Sequence, residues 1–382
     1  MIPAPLRKQL ADQHGVHRIA PLPPGLSGAR VFRCDGDETL VLRCWPLRTT
    51  PNRVREIHSV ITAVASSFQL LPKYKAIDPR GLTFTVDASG AIWELATWMP
   101  GQPLAGDASL ELIGQGARAI AGLHHALAQV HIGDLKSRFH AAPAIAERLQ
   151  RIAWLDEHLP RNLIIDLDGR VHPSVVGVLD RARRLLQQKW PTTAPRLSAA
   201  LAPLARRRWP LQYVVRDIHR EHVLFSGGQI SGIIDFDALR VDTAAVDLAR
   251  WTVGFDHYRG APEAVIDQVL ADYRAAATFA SRPAGSHGDT PPAAPRAVVQ
   301  PDSIDQADRI VGRPLGSETD YGASDAAEFR TLVLLIAESS LWISLANWVV
   351  WLVGESRQFP DLQLVSERLR RLIESVDGER KR

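Results

Sequence analysis

The sequence is poor in the features that mark several specialised classes of protein. It contains two cysteines and two methionines in 382 residues, and its main basic runs, Arg206–Arg208 and Arg380–Arg382, are short. Two cysteines cannot form the disulfide framework of a small secreted domain. Lysine and arginine number 45 against 42 acidic residues, and the net charge is only +3. Nucleic-acid-binding proteins usually concentrate positive charge in a broad stripe, so we expect no nucleic-acid partner.

Export and membrane signals are also scarce. The first 15 residues, MIPAPLRKQLADQHG, lack the apolar core of a secretory signal peptide, so we expect a cytoplasmic protein. Cys34 and Cys44 would lie about five positions apart on one hairpin, which predicts two free thiols in a reducing compartment. Residues 331–353 are long enough to cross a bilayer, but Glu338 and several polar residues interrupt them. Because a charge near the bilayer centre is costly, we expect a buried core helix and no membrane partner.

The sequence does contain two regions of different periodicity. The first hundred residues predict a small sheet with one helix, because β-prone runs flank turn signals such as Asp35-Gly36-Asp37. The predicted elements are strands at 30–34 and 39–43, a helix at 51–66, and strands at 82–86 and 91–98. Pro100-Gly101-Gln102-Pro103 then breaks the chain. This break predicts a boundary between an N-terminal lobe, 1–98, and a larger lobe, 99–382.

The larger region is mainly helical by the spacing of its apolar residues. The predicted helices are 108–127, 142–157, 174–190, 196–208, 244–257 and 262–280, with short β-like runs at 211–215, 223–225 and 229–234. Residues 281–325 differ from both regions, because they hold six prolines and five glycines and few large apolar residues. Such a stretch predicts a disordered insertion. The pattern as a whole predicts an α+β fold.

The segment most informative about chemistry runs from Val214 to Trp251. Asp217 follows a predicted strand and opens a loop, and Asp235 ends a second apolar strand further along the chain. The hairpin between them turns at Ser226-Gly227-Gly228 and brings both carboxylates to one end of the sheet. Phosphoryl transfer needs such a pair, since one carboxylate orients the attacking hydroxyl and the other holds a metal ion on the nucleotide phosphates.

This segment resembles the aminoglycoside phosphotransferase and choline kinase group of kinase-like phosphotransferases. The catalytic loop of that family reads His-Gly-Asp-Leu-His-x-x-Asn-Val-Leu-Phe, and residues 215–225 read Val-Arg-Asp-Ile-His-Arg-Glu-His-Val-Leu-Phe. The family's metal segment appears as Gly-Ile-Ile-Asp-Phe-Asp at 232–237, followed by Asp-Leu-Ala at 247–249. Weaker similarities at 26–32 and 98–101 extend the resemblance over most of 20–257.

The resemblance implies a bilobal protein-kinase-like fold, with a small antiparallel sheet-plus-helix lobe, a larger helical lobe, and ATP and Mg²⁺ in the cleft between them. It implies that Asp217 is the catalytic base, that Asp235 is the main metal ligand and that Asp247 braces the catalytic loop. Arginine at position 43 would hold the nucleotide phosphates bidentately where the family has lysine. The nucleotide-binding residues implied by the resemblance are Ser27, Gly28, Ala29, Arg43, its ion-pair partner Glu56, and the adenine-reading hinge from Leu95 to Trp98.

Two departures from the family pattern fall in the catalytic loop. His222 stands at the family's asparagine position, the second metal ligand, although imidazole suits transition metals better than Mg²⁺. Three interpretations stay open: one firmly bound metal, Mn²⁺ in place of Mg²⁺, or a cationic contact from His222 to phosphate. A zinc pair with His219 lacks further ligands at structural-site spacing. Val215 and Arg216 replace the His-Gly pair that begins the family's motif.

The sequence therefore predicts an ATP-dependent kinase that transfers the γ-phosphoryl group to a hydroxyl of a small molecule. A catalytically silent, kinase-shaped nucleotide-binding or scaffold protein is the alternative, motivated by the two departures. The acceptor stays open among antibiotic, choline-like, sugar and amino-alcohol compounds, because fold does not determine substrate. Three acids near the cleft, Asp237, Asp242 and Asp256, are compatible with a cationic acceptor.

Overall fold

The computed structural model describes residues 2–378 apart from 24, 26, 27, 79, 133–137, 168 and 281–322. Its helices are α1 (Ala4–His14), α2 (Pro51–Val64), α3 (Leu110–Leu127), α4 (Pro143–Ile164), α5 (Pro173–Ala205), α6 (Ala245–Thr252), α7 (Asp256–Gly260), α8 (Pro262–Ala280), α9 (Ala323–Val349) and α10 (Leu362–Asp377). Its strands are β1 (Arg18–Pro21), β2 (Arg30–Asp35), β3 (Leu40–Cys44), β4 (Phe84–Val86), β5 (Ile92–Thr97), β6 (Gln102–Pro103), β7 (Phe139–His140), β8 (Trp209–Pro210), β9 (Gln212–Val214), β10 (Val223–Ser226), β11 (Gln229–Ile233) and β12 (Arg240–Asp242).

The N-terminal region forms the predicted antiparallel sheet, with strand order β1-β2-β3-β5-β4. Burial alternates along β3, so Leu40, Leu42 and Cys44 face the core while Arg43 lies on the opposite face. Strand periodicity of two produces this division. Arg43 stands directly opposite Glu94 of β5. Both cysteines are free and buried, which confirms the prediction of two free thiols.

Helix α2 begins where the sequence predicts. Thr50 caps it by accepting a hydrogen bond from the backbone N–H of Arg53, and proline occupies the first turn, where its missing N–H costs nothing. Val54, Ile57 and Ile61 form its buried face at helical spacing. Burying each of these side chains contributes about 1.5–3 kcal/mol.

The core of the described residues consists of two clusters. The smaller cluster lies between α1 and the sheet and includes Leu10, Leu40 and Trp93. The larger cluster begins at α2 and continues through the helical region, so α2 shares its core with the helices that follow. A kinase-like fold with a small sheet lobe and a large helical lobe is thus confirmed, while the exact boundary near residue 98 stays a prediction.

Helix α5 corrects one element of the prediction. Separate helices were expected at 174–190 and 196–208, but one helix of 33 residues runs through Pro191, Pro195 and Pro203. Proline removes one backbone hydrogen bond and crowds the preceding turn, so the uninterrupted helix needs compensation. Buried contacts from Leu186, Trp190 and the residues beyond them to α4, α9 and α10 supply it.

Helix α9 accounts for the long apolar segment near the C-terminus. With the turn that follows, the stretch Asp325–Gly354 is the described part that is long and apolar enough to cross a membrane, with mean hydropathy 1.6. Of its most apolar window, 61% is buried inside the protein. It packs against α4, α5, α6, α8 and α10, in agreement with the expected core helix. Of the predicted disordered insertion, 281–322 lies outside the described residues, and 323–325 begin α9.

Candidate active site

The loop that carries Asp217 follows β9 and is held by a buried carboxylate. Asp247, at the start of α6, accepts hydrogen bonds from the backbone N–H of Val215, at 2.8 Å, and of Arg216, at 2.6 Å. Arg216 has φ of +66°, a left-handed conformation that favours glycine, and it stands where the family has glycine. The expected bracing role of Asp247 is confirmed.

Asp247 belongs to a buried network that joins three helices of the large lobe. His124 of α3 lies 2.9 Å from the carboxylate, and its other ring nitrogen lies 3.0 Å from the hydroxyl of Tyr273 in α8. The side chains of His124 and Asp247 are fully buried. Buried polar groups of this kind hold one geometry because each loses a partner if the network moves. The network therefore ties the catalytic loop to the helical core.

Asp217 is paired with an arginine that the sequence did not single out. Arg250 of α6 donates from Nε, at 2.9 Å, and from Nη2, at 2.7 Å, to Oδ1 of Asp217. Burial raises the pKa of Asp217, but the positive charge of Arg250 outweighs it and holds the pKa below its usual range. Both bonds end on Oδ1, and no hydrogen bond from the described residues ends on Oδ2.

The two predicted metal ligands lie together. Nε2 of His222 is 3.5 Å from Oδ2 of Asp235, and Nδ1 is 2.8 Å from the carbonyl oxygen of Asp217. Oδ1 of Asp235 is buried and accepts no hydrogen bond, and the residue is held at φ of +63°. An orphaned buried carboxylate oxygen is a group that a divalent cation satisfies. The residues present therefore fit a bound metal ion.

The imidazole nitrogen of His222 affects which metal ion this site can bind. Asp217, His219 and His222 each offer a ligand atom within 4.8 Å of the others. Burial, together with the neighbouring His222, lowers the pKa of His219 to about 2, so His219 is neutral. Neutral imidazole is a ligand that suits transition metals better than Mg²⁺.

Arg43 lies at the centre of a cluster of acids on the sheet side of the cleft. Its Nη1 and Nη2 pair with the two carboxylate oxygens of Asp237, and Nη2 is 3.6 Å from Asp235. Glu94 lies 3.9 Å away across the strands. Burial raises the pKa of Asp237 to about 7, and the negative charge of Asp235 adds to this, against the lowering effect of Arg43. The guanidinium of Arg43 thus lies within 4 Å of three carboxylates.

The expected ion pair between Arg43 and Glu56 is replaced by another arrangement. Glu56 lies on the outer face of α2, where its half-exposed side chain pairs with Arg53 at 2.8 Å. Helix α2 reaches Arg43 through His58, whose Nε2 lies 2.7 Å from Glu94. Glu56 therefore lies on a different face of α2 from the one that the resemblance implied. The acid beside Arg43 is Glu94.

The other predicted nucleotide residues lie before β2 and in or just after β5, and one of them falls outside the described residues. Ser27 falls outside the described residues, Gly28 has φ of +81° and space on its open side, and Ala29 is buried. The carbonyl of Leu95 accepts from the N–H of Lys75 at 2.8 Å. The N–H of Trp98 donates to the carbonyl of Thr39 at 3.0 Å. Both hinge residues thus use part of their backbone within the lobe itself.

The residues that sequence reasoning missed are charged partners of the predicted ones. They are Glu94, Arg250 and Arg53, whose guanidinium donates to the carbonyl oxygen of Asp237 at 2.9 Å. Asp237 itself was named from the sequence, as an acid near the cleft and the last residue of the family's metal segment, but not as the partner of Arg43. The others are 33 to 184 residues from their partners along the chain, or face them across strands, and no local pattern marks them.

The fold and the site together define a two-lobed, kinase-like phosphotransferase. The chain matches the phosphotransferase enzyme family over residues 18–284, and it belongs to that family. No curated protein matches the chain.

Solved structures share the fold at low identity. A spectinomycin phosphotransferase in complex with ADP and spectinomycin is 11% identical, with TM-score 0.58, covering 99% of this chain and 98% of that one. An amicoumacin kinase with AMP-PNP and Ca²⁺ is 12% identical, with TM-score 0.51 and coverages of 98% and 96%. An aminoglycoside phosphotransferase from Alicyclobacillus acidocaldarius is 12% identical, with TM-score 0.51 and coverages of 99% and 93%.

Proposed function

We propose that this protein is an ATP-dependent kinase that transfers the γ-phosphoryl group to a hydroxyl of a small molecule. One observation carries the proposal: Arg43, Asp235, His222 and Asp217 form a continuous chain of contacts from the sheet lobe to the catalytic loop. Phosphoryl transfer depends on positioning and on neutralising charge along one line between nucleotide and acceptor.

The proposed roles follow from the chemistry of each group. The acceptor oxygen bonds to the γ-phosphorus while the bond from that phosphorus to the ADP oxygen breaks, and the hydroxyl proton passes to Oδ2 of Asp217. Arg43 exchanges its pairing with Asp237 for the nucleotide phosphates, which releases a carboxylate beside Asp235. Asp235 and His222 would hold Mg²⁺ or Mn²⁺, which supplies positive charge to the phosphates when bound.

The adenine would bind at the hinge that follows β5. Since the N–H groups of Thr97 and Trp98 are used within the lobe, Met99 supplies the next N–H before Pro100. The backbone near Gly28, which has φ of +81°, would cover the phosphates. The buried free thiols Cys34 and Cys44 fit a reducing, cytoplasmic setting.

The experiment that tests the proposal is ATP consumption against a library of hydroxyl compounds, first with Mg²⁺ and then with Mn²⁺. We expect ADP release that depends on one acceptor class and a phosphorylated product visible by mass spectrometry. Nucleotide binding by calorimetry without turnover under either metal would favour the alternative, a silent nucleotide-binding scaffold. Absence of both would refute the kinase proposal.

A further inference from the structure

A cavity of about 240 Å³ lies beside the catalytic loop, on the side away from the sheet lobe. It is bounded by α4, α6 and α9 and is lined by Arg148, Arg151, Arg216 and Arg250 together with serine hydroxyls of α9. Glu147 is the acid in its lining. Two of its residues adjoin the reaction centre, because Arg216 precedes Asp217 in the chain and Arg250 binds the Asp217 carboxylate.

Two of the four arginines are neutralised by acids. Arg250 pairs with Asp217 at 2.7 Å. Arg216 pairs with Glu147 and lies 3.4 Å from the buried carboxylate of Asp242. These three acids account for the negative charge around the cavity.

The other two arginines lack such partners. In the described part of the chain, no carboxylate lies within 4 Å of Arg148 or Arg151, and each donates instead to neutral groups of α4 or α9. Arg148 donates to the hydroxyl of Ser340 at 2.9 Å and to the carbonyl of Ala144. Arg151 donates through Nε to the side-chain oxygen of Asn347 at 2.8 Å, and its guanidinium lies over the ring of Trp154. Neither guanidinium therefore forms an ion pair with a described residue.

Arg148 shows this most clearly. Its Nε is buried and donates to no acceptor, and burial lowers its pKa to about 10, with Arg216 and Arg250 adding to the effect against Asp242. Burying a cation with an unused donor is costly unless an anion completes the site. Arginine donors arranged in a fork match carboxylate and phosphate oxygens.

We propose that the acceptor is a small anionic hydroxyl compound, whose carboxylate or phosphate group binds Arg148 and Arg151 in this cavity. The inference rests on the proposed function, since it places the anion's hydroxyl next to Asp217. The cavity is smaller than the roughly 300–1,000 Å³ of drug-sized ligands, so an acceptor of monosaccharide size fits it. Of the three acids expected to attract a cation, Asp237 lies beside Arg43 on the nucleotide side, Asp242 lies 3.4 Å from Arg216, and Asp256 pairs with Arg259.

The inference is tested with a series of hexoses that differ in charge. Glucuronate carries a carboxylate, glucose 6-phosphate a phosphate, glucose no charge and glucosamine a cation. Calorimetry on the protein saturated with Mg²⁺ and ADP keeps the nucleotide site occupied, so only binding elsewhere is measured. We expect the anions to bind at least about tenfold more tightly than glucose and glucosamine. The carboxylate and phosphate compounds distinguish the two anion types.

Variants locate the binding. Arg151→Gln and Arg148→Gln should each weaken binding of the preferred anion about tenfold, while Arg151→Lys retains part of it. Arg370→Gln removes one exposed positive charge on α10, and it should leave anion affinity unchanged. Thermal unfolding verifies that each variant is folded, and the lysine variant keeps the test informative where Arg148→Gln does not fold.

The anion inference and the kinase proposal can fail separately. Equal or tighter binding of glucose or glucosamine, no binding by either anion, or anion affinity unaffected by both glutamine variants would overturn the anion inference. ATP-dependent phosphorylation of neutral or cationic acceptors alone would also overturn it while sustaining the kinase proposal. Anion binding that needs Arg148 and Arg151, without phosphate transfer to any acceptor, would sustain the anion pocket and refute the kinase proposal.

Discussion

The two sides of the catalytic loop carry opposite charge. On the nucleotide side, Arg43 stands among Asp235, Asp237 and Glu94, and Oδ1 of Asp235 accepts no hydrogen bond. On the acceptor side, the cavity collects four arginines, two of which have no acid within 4 Å among the described residues. The nucleotide side thus has too few positive charges to balance its carboxylates, and the acceptor side has too few carboxylates to balance its arginines.

This difference in charge matches the ligand that we propose for each side. An excess of carboxylates is complemented by a divalent metal with its phosphates, and an excess of guanidinium groups by an anionic substrate. Asp217 lies between the two sides, bound through Oδ1 to Arg250 of the acceptor side and through its carbonyl oxygen to His222 of the nucleotide side. Changes on either side should therefore have separable effects.

The largest expected effect comes from substituting Asp217, which lies between the nucleotide side and the acceptor side. Asp217→Asn removes the proton acceptor, and turnover with the best acceptor should fall about 10²–10⁴-fold. Nucleotide affinity should stay the same, because the nucleotide side keeps its charges. Asp256→Asn, which alters a half-exposed acid paired with Arg259, serves as the control. Unchanged turnover in Asp217→Asn would remove the proposed base.

The next largest effect concerns Asp247, which holds the backbone of the catalytic loop in place. Asp247→Ala leaves the N–H groups of Val215 and Arg216 and the ring of His124 without their buried acceptor. The free energy of unfolding should fall by about 3–5 kcal/mol. Urea denaturation measures it. Asp12→Ala, which breaks an exposed pair with Lys8, should cost less than about 1 kcal/mol, and an equal loss in both variants would contradict the bracing role.

A charge change on the nucleotide side should separate metal from nucleotide. Asp235→Asn should weaken binding of ATP with Mg²⁺ or Mn²⁺ about tenfold, because one charged metal ligand is lost. It should leave metal-free ATP bound equally or more tightly, because a carboxylate that repels phosphate is gone. Calorimetry with and without EDTA measures both affinities. A parallel loss of affinity under both conditions would argue against a metal ligand at this position.

The smallest effect is a pH dependence on the acceptor side. Burial raises the pKa of Asp242 to about 6, against the lowering effect of Arg216 and of the N–H groups of Thr243 and Ala144. The unfolded carboxyl loses its proton near pH 4, so between about pH 4 and 6 the folded protein binds more protons. Stability from this group therefore decreases as pH rises through that range.

Asp242→Asn tests this prediction, because asparagine does not titrate. The difference in unfolding free energy between the parent protein and Asp242→Asn should change by about 1–3 kcal/mol between pH 4 and 7. The change should favour the parent protein at the lower pH. Urea denaturation at several pH values provides the measurement, and a difference independent of pH would show that folding does not raise the pKa of Asp242.

Local patterns were enough for the parts of the site that lie close together in sequence. Asp217, His222 and Asp235 share a loop and a tight hairpin, whose turn at Gly227 and Gly228 has positive φ that glycine adopts freely. The distances among them therefore follow from a short piece of chain. Helix α2 likewise begins at the capping residue and proline that the sequence shows.

The sequence predicted less well which face of a helix a residue occupies and which elements distant in the chain pack together. Glu56 and His58 are two residues apart on α2, yet one pairs with Arg53 outside and the other lies buried against Glu94. The continuous course of α5 through Pro191 and Pro195 depends on neighbouring helices, which a local rule for proline does not include.

The sequence by itself determined the class of protein, many of its main strands and helices, and the two carboxylates that mark its chemistry. These depend on short-range periodicity, turns and spacing. Only the tertiary structure decided how charge is distributed around those carboxylates. Arg148 meets Ser340 across 192 residues of chain, and Arg43 meets Asp237 across 194. Electrostatic surroundings depend on distance in space and on burial, neither of which is written in the local sequence.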